Sequence, residues 1–255
     1  MNEKEHWDKI ASSYNEEIFD VFKSDREGKL MHYFKKHGDK KHTAIDFGCG
    51  TGKALPYLSP LFRKVLAVDI SRECLAEARR RSYKNVEITR KDLSGRRITL
   101  PPSDFVFCCN VIMLPEPEKN VIMFSNVQKA MRTKGNAVLV VPSFDSMMFS
   151  AWRMIDWYRK EGVKPANIPP SELAYFSGKK TDLLQGIIKI DGVPTKHYSE
   201  SELRVLLKQS GLVVTALEKL TYDWDTEFSS PPTWMKDPYP WDWLVECKKE
   251  TGSIN

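Results

Sequence analysis

Residues 43–52 read Thr-Ala-Ile-Asp-Phe-Gly-Cys-Gly-Thr-Gly. An apolar run enters three glycines at alternate positions, Gly48, Gly50 and Gly52, and a helical pattern follows from Lys53. Glycine admits backbone angles that a side chain resists and lets a ligand approach the main chain. A helix start just beyond adds oriented amides. Outward from this loop, apolar runs at 64–69 (KVLAVD), 85–89 (NVEIT), 104–109 (DFVFCC) and 136–141 (NAVLVV) alternate with helical stretches at 53–62, 71–82 and 118–131. The alternation predicts a doubly wound α/β fold, with a parallel sheet and right-handed crossovers. The runs are apolar throughout instead of at every second residue, the pattern of strands covered on both faces. Ser71 is placed to cap its helix, with Ile70 and Leu75 at the staple positions. Later, Ser199 and Glu202 make a capping-box pattern, Tyr198 and Leu203 a staple, and Gly211 a terminator. The runs 212–220 and 241–249 predict an antiparallel hairpin completing the sheet.

Three templates compete for the glycine loop. A dinucleotide loop needs G-x-G-x-x-G, but Lys53 stands at the sixth position and the third glycine comes one place early. A P-loop needs glycine five places before the glycine of its GK pair, and Ser or Thr after the lysine; this chain offers Phe47 and Ala54. The pattern D-x-G-x-G-x-G instead resembles motif I of the class I S-adenosylmethionine-dependent methyltransferases.

That resemblance implies a Rossmann-like seven-stranded sheet, mostly parallel with an antiparallel last hairpin. It also implies S-adenosyl-L-methionine as cofactor and S-adenosyl-L-homocysteine as product. Gly48, Cys49, Gly50 and Gly52 would embrace the methionine part, and Asp46 would order the loop or the amino-acid moiety. Asp69, with Ile70 beside it, ends the next strand 17 residues after Gly52, where the family's acidic residue takes both ribose hydroxyls. A carboxylate suits that bidentate task; the alternative is a helix-capping Asp, a task Ser71 already fills. Asp92, with Leu93 nearby, sits where the family places an Asp against the adenine amino group; the alternative is a loop carboxylate paired to Arg90 or Lys91. Asn110, followed by Val111, holds the position beside the transferable methyl, though Asn is also a turn former. At the N-terminus Trp7, Asp8, Ala11 and Tyr14 match the family's W-D-x-x-A-x-x-Y helix; Tyr14 either reaches the cofactor's carboxylate or only packs. The resemblance is clear over 43–142, fair over 5–18 and 196–220, and absent over 143–195. It speaks for the cofactor and not for the methyl acceptor. The expected organisation is one methyltransferase domain over 1–255, made of N-terminal helices (1–42), a cofactor-binding core (43–142), an inserted helical and aromatic substrate cap (143–195), and a C-terminal helix with strands (196–255).

Composition narrows the class. A hydrophobic content of 41% with 11% aromatics excludes wholesale disorder. Thirteen Gly and five Cys exclude a collagen-like or disulfide-scaffold protein. No apolar run approaches the ~18 residues of a membrane span, and MNEKEHWDKI is no secretory leader; a soluble, cytoplasmic protein is expected. Cys49, Cys74, Cys108, Cys109 and Cys247 show neither C-x-x-C pairs nor zinc-ligand spacing, so buried reduced thiols and no metal are expected. The net charge of +5 is local: between Arg79 and Arg97 lie eight basic and two acidic residues. This patch is either a solvated helix end and loop or a phosphate grip.

Methyl transfer from a sulfonium is an in-line displacement whose leaving group needs no acid, so positioning and exclusion of water carry most of the catalysis. A hydroxyl acceptor needs a base and an amine need only be neutral. His197 is the nearest base candidate, with packing as its alternative reading. The end of the fourth strand, CCNVIM, lacks the N/D-P-P-Y run of nucleic-acid amino methyltransferases, and Cys108 precedes Cys109 where pyrimidine C5 chemistry uses Pro-Cys. The leading expectation is a small-molecule N or O acceptor, with nucleic acid and membrane partners disfavoured. The alternatives are an RNA-modifying methyltransferase gripping phosphates through Arg79–Arg97, and a catalytically silent cofactor-binding relative. Trp152, Trp157, Tyr158, Tyr175, Phe176, Trp224, Trp234, Trp241 and Trp243 either wall an apolar or cationic pocket or hold the cap to the core. Met148, Trp152 and Ile155, at helical spacing, are expected to face the core.

Overall fold

Five parallel strands follow the five apolar runs: β1 (Thr43–Phe47), β2 (Lys64–Asp69), β3 (Val86–Arg90), β4 (Ser103–Cys109) and β5 (Met131–Pro142). The computed structural model describes residues 20–190 and 192–250, so Trp7, Asp8, Ala11 and Tyr14 lie outside the described residues. Two further strands, β8 (Leu212–Thr221) and β9 (Trp241–Lys249), complete a seven-stranded sheet in the order β3-β2-β1-β4-β5-β9-β8. β9 runs antiparallel to both neighbours, wedged between β5 and β8. The expected hairpin therefore forms with its second strand on the inside. That suits its burial, since β9 is apolar along most of its length and β8 alternates as an edge strand does.

Alternation within each strand sorts the core into two layers. Ile45, Phe47, Val106, Leu139 and Val245 meet α5 (Pro117–Ala130) and α7 (Glu200–Gln209) on one face. Ala44, Val65, Phe105, Phe107 and Leu244 meet α2 (Lys29–His37) and α3 (Leu55–Leu58) on the other. Before them comes the short α1 (Val21–Ser24), and α4 (Arg72–Arg80) follows β2. Ser71 caps α4 as expected, its Oγ accepting from Cys74 N at 3.1 Å.

Three local expectations are corrected. The helix expected over 53–62 shrinks to the single turn of α3, because Pro60 has no N–H to donate to the carbonyl four residues back. The capping box at Ser199 half forms: Ser199 Oγ accepts from Glu202 N at 3.3 Å, while the Glu202 carboxylate turns to the buried Lys196 ammonium at 2.6 Å. In the insertion, α6 (Phe144–Lys160) buries Ser146, Ser150, Ala151 and Met154, leaving Met148 and Trp152 about half exposed. A face of small residues lets the helix approach the C-terminal segment closely, and Ser146 Oγ accepts from Trp241 N at 2.7 Å. The insertion also holds a hairpin, β6 (Ile187–Ile190) with β7 (Val193–Lys196), that the sequence does not announce.

The layer beneath α2 is ring-packed. Phe105, fully buried, stacks on Phe62 at 5.3 Å and on His37 at 5.4 Å, and meets Phe34 edge-on at 6.1 Å. Phe105→Ala is expected to lower the unfolding free energy by about 3–5 kcal/mol, read from urea denaturation midpoints.

Candidate functional site

The carboxyl ends of β1, β4 and β5 open onto one cavity of about 690 Å³. Asp46, Gly48 and Cys49 line it from β1, Asn110 from the end of β4, and Pro142 and Ser143 from β5. Residues 20–24 close one side, while Met147, Ile190, His197, Glu227, Trp241 and Asp242 close the side under the insertion. An open α/β sheet binds ligands at such strand ends.

The glycine loop is held by the end of β2. Gly48 and Cys49 N–H both donate to Val68 O, at 2.8 and 2.9 Å, and Gly50 N–H donates to Asp69 Oδ2 at 2.8 Å. The other Asp69 oxygen accepts from Ser71 N at 2.9 Å. Gly48 has φ +83°, and a Cβ there would fall inside the contact distance of the Val111 side chain. Gly52 has φ +80°, with Leu55 Cδ1 only 2.8 Å from the place of a Cβ. Side chains are thus barred at both positions.

Asp46, next to last in β1, is 3% exposed, and its Oδ2 has no hydrogen-bond partner among the described residues. Burial, and then the charge of Asp69, raise its pKa to about 8. Asn110 adopts the left-handed conformation, φ +53°, as a turn former does, and its side chain still lines the cavity. Its Nδ2 donates to Asp242 Oδ2 at 3.4 Å, and its Oδ1 is buried without a donor among the described residues. His197 is 3% exposed, and burial lowers its pKa to about 4, so the ring is neutral at physiological pH. Its Nδ1 stands 3.1 Å from Thr195 O, which places the proton on Nδ1 and the free lone pair on Nε2.

Sequence reasoning missed Asp242. It sits second in β9, accepts from Tyr222 Oη at 2.9 Å, and burial raises its pKa to about 7 against the pull of its hydrogen bonds, with the Glu227 charge adding to the rise. The available signal was a carboxylate set between two tryptophans at the start of a mostly buried strand, a placement that calls for a partner.

Gly50 and Gly52 of the loop, with Asp69 ending β2 and Ile70 after it, stand outside the cavity lining. Asp92 is exposed and accepts from Ser94 N and Oγ at 2.9 and 2.6 Å. Neither proposed ion pair of Asp92 forms: Arg90 Nε donates to Ile70 O at 3.0 Å, and Lys91 Nζ donates to Thr99 O. Leu93 is buried in the core, its carbonyl accepting from Asn126 Nδ2. Of the nine candidate aromatics Trp241 alone lines the cavity. The insertion is instead stapled down by contacts such as Phe149 with Trp224 at 5.6 Å and Trp157 with Phe228 at 6.0 Å. Lys160 lies over Trp234 at 3.7 Å. No helix among the described residues is long and apolar enough to cross a membrane.

The family described as "Methyltransferase domain" matches residues 44–135. No curated protein sequence matches the chain. Among solved structures, DhpI in complex with SAH superposes with a TM-score of 0.61 at 17% identity, over 97% of this chain and 95% of that one. A putative methyltransferase from Haloferax volcanii, in complex with the Trm112 methyltransferase activator, gives 0.63 at 12% identity over 100% of both chains. A SAM-dependent methyltransferase from Mesorhizobium loti gives 0.61 at 17% identity, over 88% of this chain and 97% of that one. At these identities the likeness is one of fold. Residues 44–135, which carry the glycine loop and the acidic strand ends, thus match the methyltransferase domain family, on a fold shared with solved methyltransferases.

Proposed function

We propose that the chain transfers the methyl group of S-adenosylmethionine to a small-molecule N or O nucleophile held between the glycine loop and the inserted cap. The observation that carries this reading is the continuity of the cavity from Asp46 and Gly48 to Trp241 and Asp242. One chamber of about 690 Å³ falls in the size range of small-molecule sites. The residues present fit the cofactor. Asp46 Oδ2, buried and unpaired, calls for a donor such as the methionine ammonium, and Lys23 and Lys53 on the same wall suit its carboxylate. Asp69, which accepts from Gly50 N and Ser71 N at the end of β2, is a carboxylate of the kind that suits the ribose hydroxyls. On the family resemblance, Ile70, Asp92 and Leu93 would serve the adenosine.

When bound, the cofactor supplies a methyl on a sulfonium, lost by displacement. The protein's part is to orient the two reactants and exclude water, with Asn110 beside the methyl and the neutral His197 offering Nε2 as a hydrogen-bond acceptor that orients the methyl acceptor. The RNA reading loses ground because the basic segment is partly tied into the fold. Arg81 Nε donates to Thr51 O, Arg80 pairs with Glu77, and Arg90 and Lys91 bond backbone carbonyls.

Calorimetric titration with S-adenosylhomocysteine is expected to give one-to-one micromolar binding, and absence of binding would revive the silent-relative reading. Asp69→Ala is expected to weaken that affinity by about 1.5–3 kcal/mol, the range for hydrogen bonds to a charged group; an unchanged affinity removes Asp69 from the site. A second prediction concerns pH. The folded Asp46 titrates near 8, above its ordinary 3.8, so the folded chain keeps a proton that the unfolded chain has lost. Its contribution to stability therefore falls as pH rises through that window. Melting temperatures of Asp46→Asn should gain on the native chain between pH 4 and 8 as the Asp46 window is crossed; parallel curves would refute the burial argument.

A further inference from the structure

The acceptor end of the cavity carries an excess of hydrogen-bond acceptors. Asp242 and Glu227 present carboxylates to it from the C-terminal segment, and they are near enough for the charge of Glu227 to disfavour ionisation of Asp242. Asn110 Oδ1 is buried without a donor among the described residues. His197, more than nine-tenths buried, has its Nδ1–H turned to Thr195 O, and Nε2 has no partner among the described residues. Local donors are already committed: Tyr222 Oη to Asp242, and Thr226 Oγ1 to Asp223 O. Among the described lining residues the cations are Lys23 and Lys53, both on the glycine-loop side, and Lys53 pairs with Asp20 at 3.6 Å.

Resting on the methyltransferase reading above, we propose that the methyl acceptor is a small amine, which enters as its ammonium and is recognised by Asp242, Glu227 and Asn110. An ammonium brings several N–H donors and a positive charge to a place that offers carboxylates and unpaired acceptor atoms. A carboxylate acceptor would meet repulsion there. An alcohol would need a far stronger base than a carboxyl titrating near neutrality, whereas an amine needs only to lose one proton to become nucleophilic. The ammonium passes that proton to the Asp242 carboxylate. The freed nitrogen lone pair then forms the N–C bond as the bond from methyl to sulfur breaks, and that pair stays on sulfur. The charge moves from sulfur to the methylated nitrogen, and the proton on Asp242 leaves to solvent. Tyr222, hydrogen-bonded to Asp242, holds that carboxyl in place as a positioning residue.

The experiment uses the full chain, methyl-labelled S-adenosylmethionine, and a panel of aliphatic and aromatic monoamines with their matched alcohols and carboxylic acids. Label is expected to enter amines. Asp242→Asn and Glu227→Gln are each expected to lower kcat/KM for the accepted amine about tenfold or more, while S-adenosylhomocysteine affinity stays within about twofold and so reports that the fold is intact. Label in alcohols or acids alone, no amine accepting methyl in a chain that binds S-adenosylhomocysteine, or no effect of either variant overturns the amine assignment. Loss of S-adenosylhomocysteine binding by the native chain overturns instead the reading on which it rests.

Discussion

A carboxyl group shut away from water with one oxygen unpaired is the constraint around which the cavity is arranged. Asp46 ends β1 in the middle of the sheet, where an ionised group without a partner is costly. Two features keep it there. The alternation of β1 sends Ile45 and Phe47 into one apolar layer and leaves Asp46 on the other side. The glycine loop that follows is tied to Val68 O and Asp69, so the chain cannot swing to expose the group. Asp46 is therefore protonated for much of the neutral range, and on the function proposed here cofactor capture and its ionisation become one event.

The cap side follows a different logic. Its aromatics hold α6 and the Pro-rich segment after β8 against each other, and cations over Trp234 and Trp241 reinforce that seam. What reaches the cavity includes three titratable groups, Asp242 on β9, Glu227, and His197 just after β7, beside Met147, Ile190 and Trp241. Because β9 inserts between β5 and β8, its first residues arrive beside Pro142 at the same end of the sheet as the glycine loop. The antiparallel strand thus brings Asp242 to the same rim at which the parallel strands place Asp46, Gly48 and Asn110.

The parallel core was legible because its strands are continuously apolar and its loop glycines are dictated by contacts at Val111 and Leu55. Asp46 and Asn110 were legible because each sits at the end of such a strand. Less legible was the insertion, whose buried face consists of Ser146, Ser150 and Ala151; hydrophobic periodicity tracks large residues and pointed to Met148 and Trp152. The β6–β7 hairpin is short, and its first strand abuts Gly186 in a left-handed turn, a signal too local to stand out. Asp242 escaped because its meaning depends on which strand lies next to β5, which no local pattern specifies.

The central claim, that Asp46 ionises when the cofactor binds, is tested most directly by titrating the protein with S-adenosylhomocysteine at pH 7 in buffers of differing ionisation enthalpy. The account predicts release of about one proton per ligand bound, lost in Asp46→Asn. Binding without proton release, or release unchanged in Asp46→Asn, would contradict it.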